Sequence, residues 1–275
     1  MAYIDEQLFR FKNGLEQAVA TDGAKGKTSI IRSSGLINLI HDAVKHDLIE
    51  QGVDPNQVFP RLGATKPEMK IAGFLKQKDQ DVCVAPKNIR RNPRKITWGP
   101  LANENVTDLY GEDYTNNTLV INVRSQMSSI AKNTDTLFER TFAEALNLHM
   151  MYPELVLGEV YLIPLFEYDE ATMDDRIISF KGNKTNVAKY ISFFTAVNDR
   201  SSSEDELYKY ERCALLIVDF RPEQPILFRT TAQLIEAGFL PGNFPIELAN
   251  LSFDSFAKDI LQMYKSRFIV SNLLK

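Results

Sequence analysis

Residues 118–149 read TLVINVRSQMSSIAKNTDTLFERTFAEALNLH. The stretch 118–124 carries Leu119, Val120, Ile121 and Val123 in near-continuous apolar sequence, the composition of an interior strand covered on both faces. It runs into Arg124, Ser125 and Gln126, so polar groups collect at the carboxyl end of the strand. After a short polar turn, Asn133, Thr134 and Asp135 can each cap a helix over 135–149. Phe138, Phe142, Ala145 and His149 form one stripe of that helix, widened by Leu137 and Leu148, and Pro153 bars its continuation. Glu139 and Glu144 lie off the centre of the stripe. Strand, turn and helix in this order predict a sheet with helices laid across it.

Upstream, residues 69–75 read as a strand, 76–80 as a polar turn, and 81–86 (DVCVAP) as the returning strand of a hairpin. Residues 3–20 have a helical apolar face of Leu8, Phe11, Leu15, Ala18 and Val19. A second helix, capped by Ser33 or Ser34 and closed by Gly52, carries Leu36, Ile40, Val44 and Leu48. Between them DGAKGKTS (22–29) reads as a solvated linker. Its Gly-Lys-Thr resembles the end of a phosphate-binding loop, but Thr21 stands where the first glycine is needed, and a helix rather than a strand precedes it. His41 and His46 are five residues apart, the wrong spacing for two zinc ligands on one helical face. Downstream come a strand at 155–164 running on toward Tyr168, an acidic loop at 169–182, a helix at 186–197 and an exposed connector at 201–206. A buried strand at 212–220, a short strand at 225–228 and helices at 229–237 and 252–268 complete the chain. The expected architecture is α/β, a mixed central sheet flanked by helices. It forms one domain over 1–275, with 1–30 as a helical N-terminal annex.

The chain has 275 residues, 44% hydrophobic and 25% charged, enough to bury a substantial core. A net charge of -4 excludes a global basic field, so a nucleic-acid partner would need a local patch. That patch is offered by KNIRRNPRK at 87–95, with Lys87, Arg90, Arg91, Arg94 and Lys95 followed by Trp98. The alternative for such a run is a solvated loop. Cys83 and Cys213 lie in strand-like runs and read as buried free thiols of a reducing compartment. No apolar run approaches membrane-spanning length and no signal-peptide core opens the chain, so a cytoplasmic protein with no membrane association is expected.

In element order, and in three particular segments, the chain resembles the PD-(D/E)xK nuclease superfamily, and within it the type II restriction endonucleases. The segments are DQDVCV with Asp81, the strand VINVRSQ, and SSIAKNTDTLFERTFAEALNLH leading into LGEVYLIP. The resemblance implies a restriction-endonuclease-like mixed sheet and Mg²⁺-dependent hydrolysis of double-stranded DNA at a specific sequence. It also implies a homodimer and a cognate DNA methyltransferase protecting the host DNA. Where the superfamily has Glu-x-Lys this chain has Asn122-Val123-Arg124. Asn can offer a carbonyl to Mg²⁺ but no charge, and Arg can stabilise phosphate but stays protonated. The missing carboxylate has three resolutions. It sits on the following helix at Glu139, with Glu144 behind it. It is replaced by Gln126 or Glu159. Or the site is inactive and the protein binds DNA without cutting. The first is the working expectation, with Asp81 and Glu139 holding the metal and Arg124 facing phosphate. Asp79 and Asp219 are acidic fallbacks. Ser125, Ser128 and Lys132 are placed to contact phosphate. A serine triad with His149 lacks the glycines of a nucleophile elbow. The loops at 87–117 and 169–186 are places for base-reading residues.

Overall fold

The computed structural model describes residues 2–275. Its helices are α1 (Tyr3–Arg32), α2 (Ile37–Glu50), α3 (Glu112–Asn116), α4 (Ile130–His149), α5 (Val187–Ala196), α6 (Thr231–Glu236) and α7 (Phe253–Arg267). The strands are β1 (Val58–Phe59), β2 (Met69–Ala72), β3 (Gln77–Gln80), β4 (Val82–Val84), β5 (Arg94–Lys95), β6 (Thr107–Asp108), β7 (Leu119–Ser125), β8 (Val156–Pro164), β9 (Phe166–Tyr168), β10 (Phe180–Lys184), β11 (Arg212–Asp219) and β12 (Ile226–Phe228). Six of them make the central sheet in the order β1-β4-β7-β8-β11-β12. The middle strands β7, β8 and β11 are parallel, while β1, β4 and β12 add antiparallel edges. This is the mixed, helix-flanked α/β sheet expected from the pattern.

Alternation along the strands sends side chains to two cores. Ile121, Val123, Val160, Leu162, Leu216 and Val218 pack with α1, α2 and α7. Val120, Leu157, Tyr161, Ile163, Leu215 and Ile217 pack with α4 and α5. Every position of β8 is buried, which is why its sequence reads as one apolar run. Leu8, Phe11, Leu15 and Val19 of α1 belong to the same core as the sheet. Cys83 and Cys213 are buried and unpaired, as expected. Among the described residues no helix is long and apolar enough to cross a membrane.

Three local expectations are corrected. Residues 22–29 are not a linker: α1 continues to Arg32 through a kink at Asp22 and Gly23, where Gly23 takes φ +58°. The hairpin partner of β2 is β3, drawn from the presumed polar turn, whereas β4 pairs with β1 and β7. The turn between β2 and β3 is built on Asn147, whose side-chain oxygen accepts from the N–H groups of Leu75 at 2.7 Å and Lys76 at 3.0 Å. Helix α4 begins at Ile130, not at 135, because its cap is tertiary. The Glu167 carboxylate accepts from the N–H groups of Ser129 at 2.8 Å and Ile130 at 3.0 Å.

Candidate active site

Asp81 lies at the bend between β3 and β4. Its Oδ2 accepts from the Val123 N–H of β7 at 2.9 Å, which fixes it beside the Asn122-Val123-Arg124 segment. Because Val123 points into the α1/α2/α7 core, its neighbours Asn122 and Arg124 stand on the opposite face of β7. On the adjacent strand β8, Glu159 is the register partner of Asn122 and shares that face with Leu157 and Tyr161. A carboxylate thus stands one strand over from position 122, at the same level of the sheet.

The surrounding charges converge on this point. Arg124 Nε is 3.5 Å from Glu159 Oε1, and its Nη2 is 3.8 Å from Glu144 Oε2 on α4. Lys76 and Lys78 reach Glu144 at 3.2 and 3.0 Å. Asp81, Glu144 and Glu159 thus face Arg124, Lys76 and Lys78. Glu159 and Asn122 are both fully buried. Burial pushes the Glu159 carboxyl up to about 7; Arg124 and Lys78 pull the other way, and Asp81 and Glu144 add to the rise. For Glu144 burial also opposes ionisation, but Lys78, Arg124 and Lys76 outweigh it and hold the carboxyl below its usual range. Burial weighs against the Arg124 charge too, yet Glu159, Tyr210, Glu144 and Asp81 keep the guanidinium more firmly protonated than an ordinary arginine.

Both side-chain oxygens of Glu159, both amide atoms of Asn122 and both terminal nitrogens of Arg124 are buried without a hydrogen-bond partner. Each such group costs about 1–3 kcal/mol when left unsatisfied. Gathered on one sheet face, they form a set of oxygens and donors that a bound group would complete. Among the described residues no cluster of three or more His, Cys, Asp or Glu forms a metal cage. Mg²⁺ does not require one: it is commonly held by one or two carboxylates with water and substrate phosphate filling the rest. Asp81, Glu159 and the Asn122 carbonyl are hard oxygen donors of that kind, and the unpartnered oxygens of Glu159 and Asn122 make the fit.

The other expected residues fall elsewhere. Glu139 is exposed on α4 beside Phe138 and Phe142 and is not among the charges acting on Glu159 or Arg124. Glu144, further along the same helix, is the α4 carboxylate that does reach Arg124, at 3.8 Å. Gln126 ties the turn before α4, donating to the Ser128 carbonyl at 2.6 Å, and Ser125 ends β7 half-buried. Ser128 lies in that turn, and Lys132 lines a separate cleft over α4. Asp79 is exposed opposite Lys70, and Asp219 is engaged by Arg221 at 2.7 Å. His149 faces the buried Glu211 at 3.4 Å rather than a serine.

The basic run 87–95 is partly tied inward. Arg94 pairs with Glu112 at 2.6 Å and Asp108 at 3.4 Å, and Lys95 donates to Asn105. Lys87 donates to the Leu274 carbonyl at 2.6 Å, and Arg91 lies 5.1 and 5.3 Å from the rings of Tyr110 and Tyr114. Arg90 is exposed and has no such partner. Lys76 and Lys78 were hidden to sequence reading inside the presumed turn. Glu159 carried a readable signal: it is the one charge in VLGEVYLIP, a strand with no solvated face.

Comparison with family models, curated proteins and solved structures finds no match for this chain.

Proposed function

We propose that the protein is a Mg²⁺-dependent endonuclease of double-stranded DNA, acting in the manner of the type II restriction enzymes it resembles. The observation that carries this reading is the placement of Asp81 and Glu159 on either side of the Asn122-Val123-Arg124 strand, with the buried oxygens of Glu159 and of its register partner Asn122 lacking hydrogen-bond partners. In this reading Asp81, Glu159 and the Asn122 carbonyl hold the cation. Bound Mg²⁺ would supply a Lewis acid at the phosphate and an ionised water near neutral pH. The chain's own groups do the rest. The Val123 N–H orients Asp81. Arg124 stays charged, and its two terminal nitrogens, which make no hydrogen bond although Nη2 lies 3.8 Å from Glu144, would stabilise charge on a phosphate. A homodimer on a palindromic site and a companion methyltransferase belong to the same proposal.

The direct test is incubation of the purified protein with a mixed duplex substrate, with Mg²⁺ or with chelator. Discrete fragments formed only with Mg²⁺ are expected; the absence of metal-dependent cutting on any substrate overturns the reading.

A second reading has its own observation. Three basic groups already face the three carboxylates, and Arg124 stands 3.5 Å from Glu159 in the position a cation would contest. A non-catalytic DNA-binding protein built on this sheet would keep that closed ion cluster. It would show DNA affinity indifferent to metal.

A further inference from the structure

The turn leaving β7, the start of α4, the β9–β10 hairpin and the start of α5 enclose a cleft of about 580 Å³ that is separate from the Asp81–Glu159 cluster. Lys132, Lys181, Lys184 and Lys189 all line it, in a chain whose net charge is -4. Their engagements do not cancel the charge. Lys181 pairs with Glu167 and Lys189 with Asp135, each at 2.8 Å. Lys184 donates to the Gly238 carbonyl at 2.8 Å, and Lys132 is exposed with no partner among the described residues. Lys132 and Lys184 thus have no carboxylate partner among the described residues, while Asp169 and Glu170 add negative charge near Lys181. Asn183, Asn186 and Ser129 add neutral hydrogen-bonding groups to the wall.

The protein already keeps one anion here. Glu167 takes both N–H groups at the start of α4 and the Lys181 ammonium; although burial opposes its ionisation, these donors hold its carboxyl below the usual range. The cleft also lies at the carboxyl ends of β7 and β8, where parallel α/β sheets place ligands, and one turn of chain from Arg124.

We propose that this cleft seats backbone phosphates of a nucleic acid, anchoring the strand apart from the Asp81–Glu159 pair. The assignment rests on the nucleic-acid reading above but not on cutting. Its shared chemistry is the phosphate anion, and four ammonium groups spread over α4, β10 and α5 suit successive phosphates of a strand better than one free ion.

The test is fluorescence anisotropy of a labelled duplex in chelator, for the wild type and for the combined variant Lys132→Gln, Lys184→Gln, Lys189→Gln. All three side chains are exposed, and an unchanged circular dichroism spectrum and melting temperature would certify the fold. Loss of three phosphate contacts should lower the slope of log affinity against log salt by about 3 and weaken binding roughly tenfold or more. Equal affinity and slope in the two proteins would overturn the cleft assignment while leaving the nucleic-acid reading intact. A wild type that does not bind duplex at all would overturn both. Binding of inorganic pyrophosphate that is lost in the variant, with duplex binding unchanged, would overturn the backbone assignment in favour of a small phosphate ligand.

Discussion

Replacing Glu159 by Gln isolates the energetics of the proposed site. The folded protein holds this carboxyl at about 7, against 4.5 for an ordinary glutamate, with burial as the main cause. Between those values the native state binds a proton that the unfolded chain has released. Stability from this group is therefore fully present below 4.5, falls as pH rises, and is gone above about 7. At 1.36 kcal/mol per pH unit the window is worth about 3 kcal/mol. Gln keeps the shape and cannot titrate. Relative to wild type, Glu159→Gln should thus gain about 3 kcal/mol between roughly pH 4.5 and pH 7, with a constant difference on either side. Urea unfolding of both proteins at a series of pH values reads this difference directly. A difference that does not change with pH refutes the reasoning. So does one of opposite slope, which would mean that Arg124 at 3.5 Å outweighs burial. The metal adds a second arm. Above pH 7, Mg²⁺ at ten times its dissociation constant should stabilise the wild type by about 1.4 kcal/mol, and Glu159→Gln should lose most of that gain.

Gly158→Ala places a Cβ 2.7 Å from Ile260 Cδ1, 2.8 Å from Phe256 Cζ and 3.2 Å from Ile121 Cγ1, so the Ile260 and Phe256 side chains of α7 must shift. A loss of about 1–3 kcal/mol in chemical denaturation is expected. Glu211 is buried; burial alone would raise its carboxyl, but His149, Arg267 and Arg200 hold it down at about 2. Its contribution is present above 4.5 and is lost as pH falls toward 2, so Glu211→Gln should weaken the protein at neutral pH and flatten its acid unfolding curve. Glu167→Ala removes the acceptor for the Ser129 and Ile130 N–H groups. It should cost about 1–2 kcal/mol, with faster amide exchange confined to the first turn of α4.

The interior of the fold was legible where periodicity and apolar content coincide. The strands at 118–124, 155–164 and 212–220 appear as β7, β8 and β11, because a strand buried on both faces admits few polar residues. The last helix was legible from its cap candidate Ser252, which accepts from the Asp254 N–H, whereas the Thr230–Gln233 capping box of α6 is seen only in the structure. Legibility failed where a distant side chain supplies the local signal. Glu167 starts α4 five residues early, and Asn147 turns β2 into β3, and neither contact is visible in the segment it shapes. In the proposed site, Asp81 and Arg124 were singled out by the resemblance of their segments to the nuclease superfamily. Glu159 stood only as one alternative there, since preferring it over Glu139 depends on the β7–β8 register, which sets Glu159 against Asn122. Reading down the chain favoured Glu139; reading across the sheet favours Glu159.

That choice is the central claim, and cleavage of a mixed duplex substrate with Mg²⁺ by three variants tests it most directly. Asp81→Asn and Glu159→Gln should each abolish fragment formation while retaining duplex binding in chelator, and Glu139→Gln should cut as the wild type does. Cutting that survives Glu159→Gln, or is lost in Glu139→Gln, would contradict the assignment of the second carboxylate to β8.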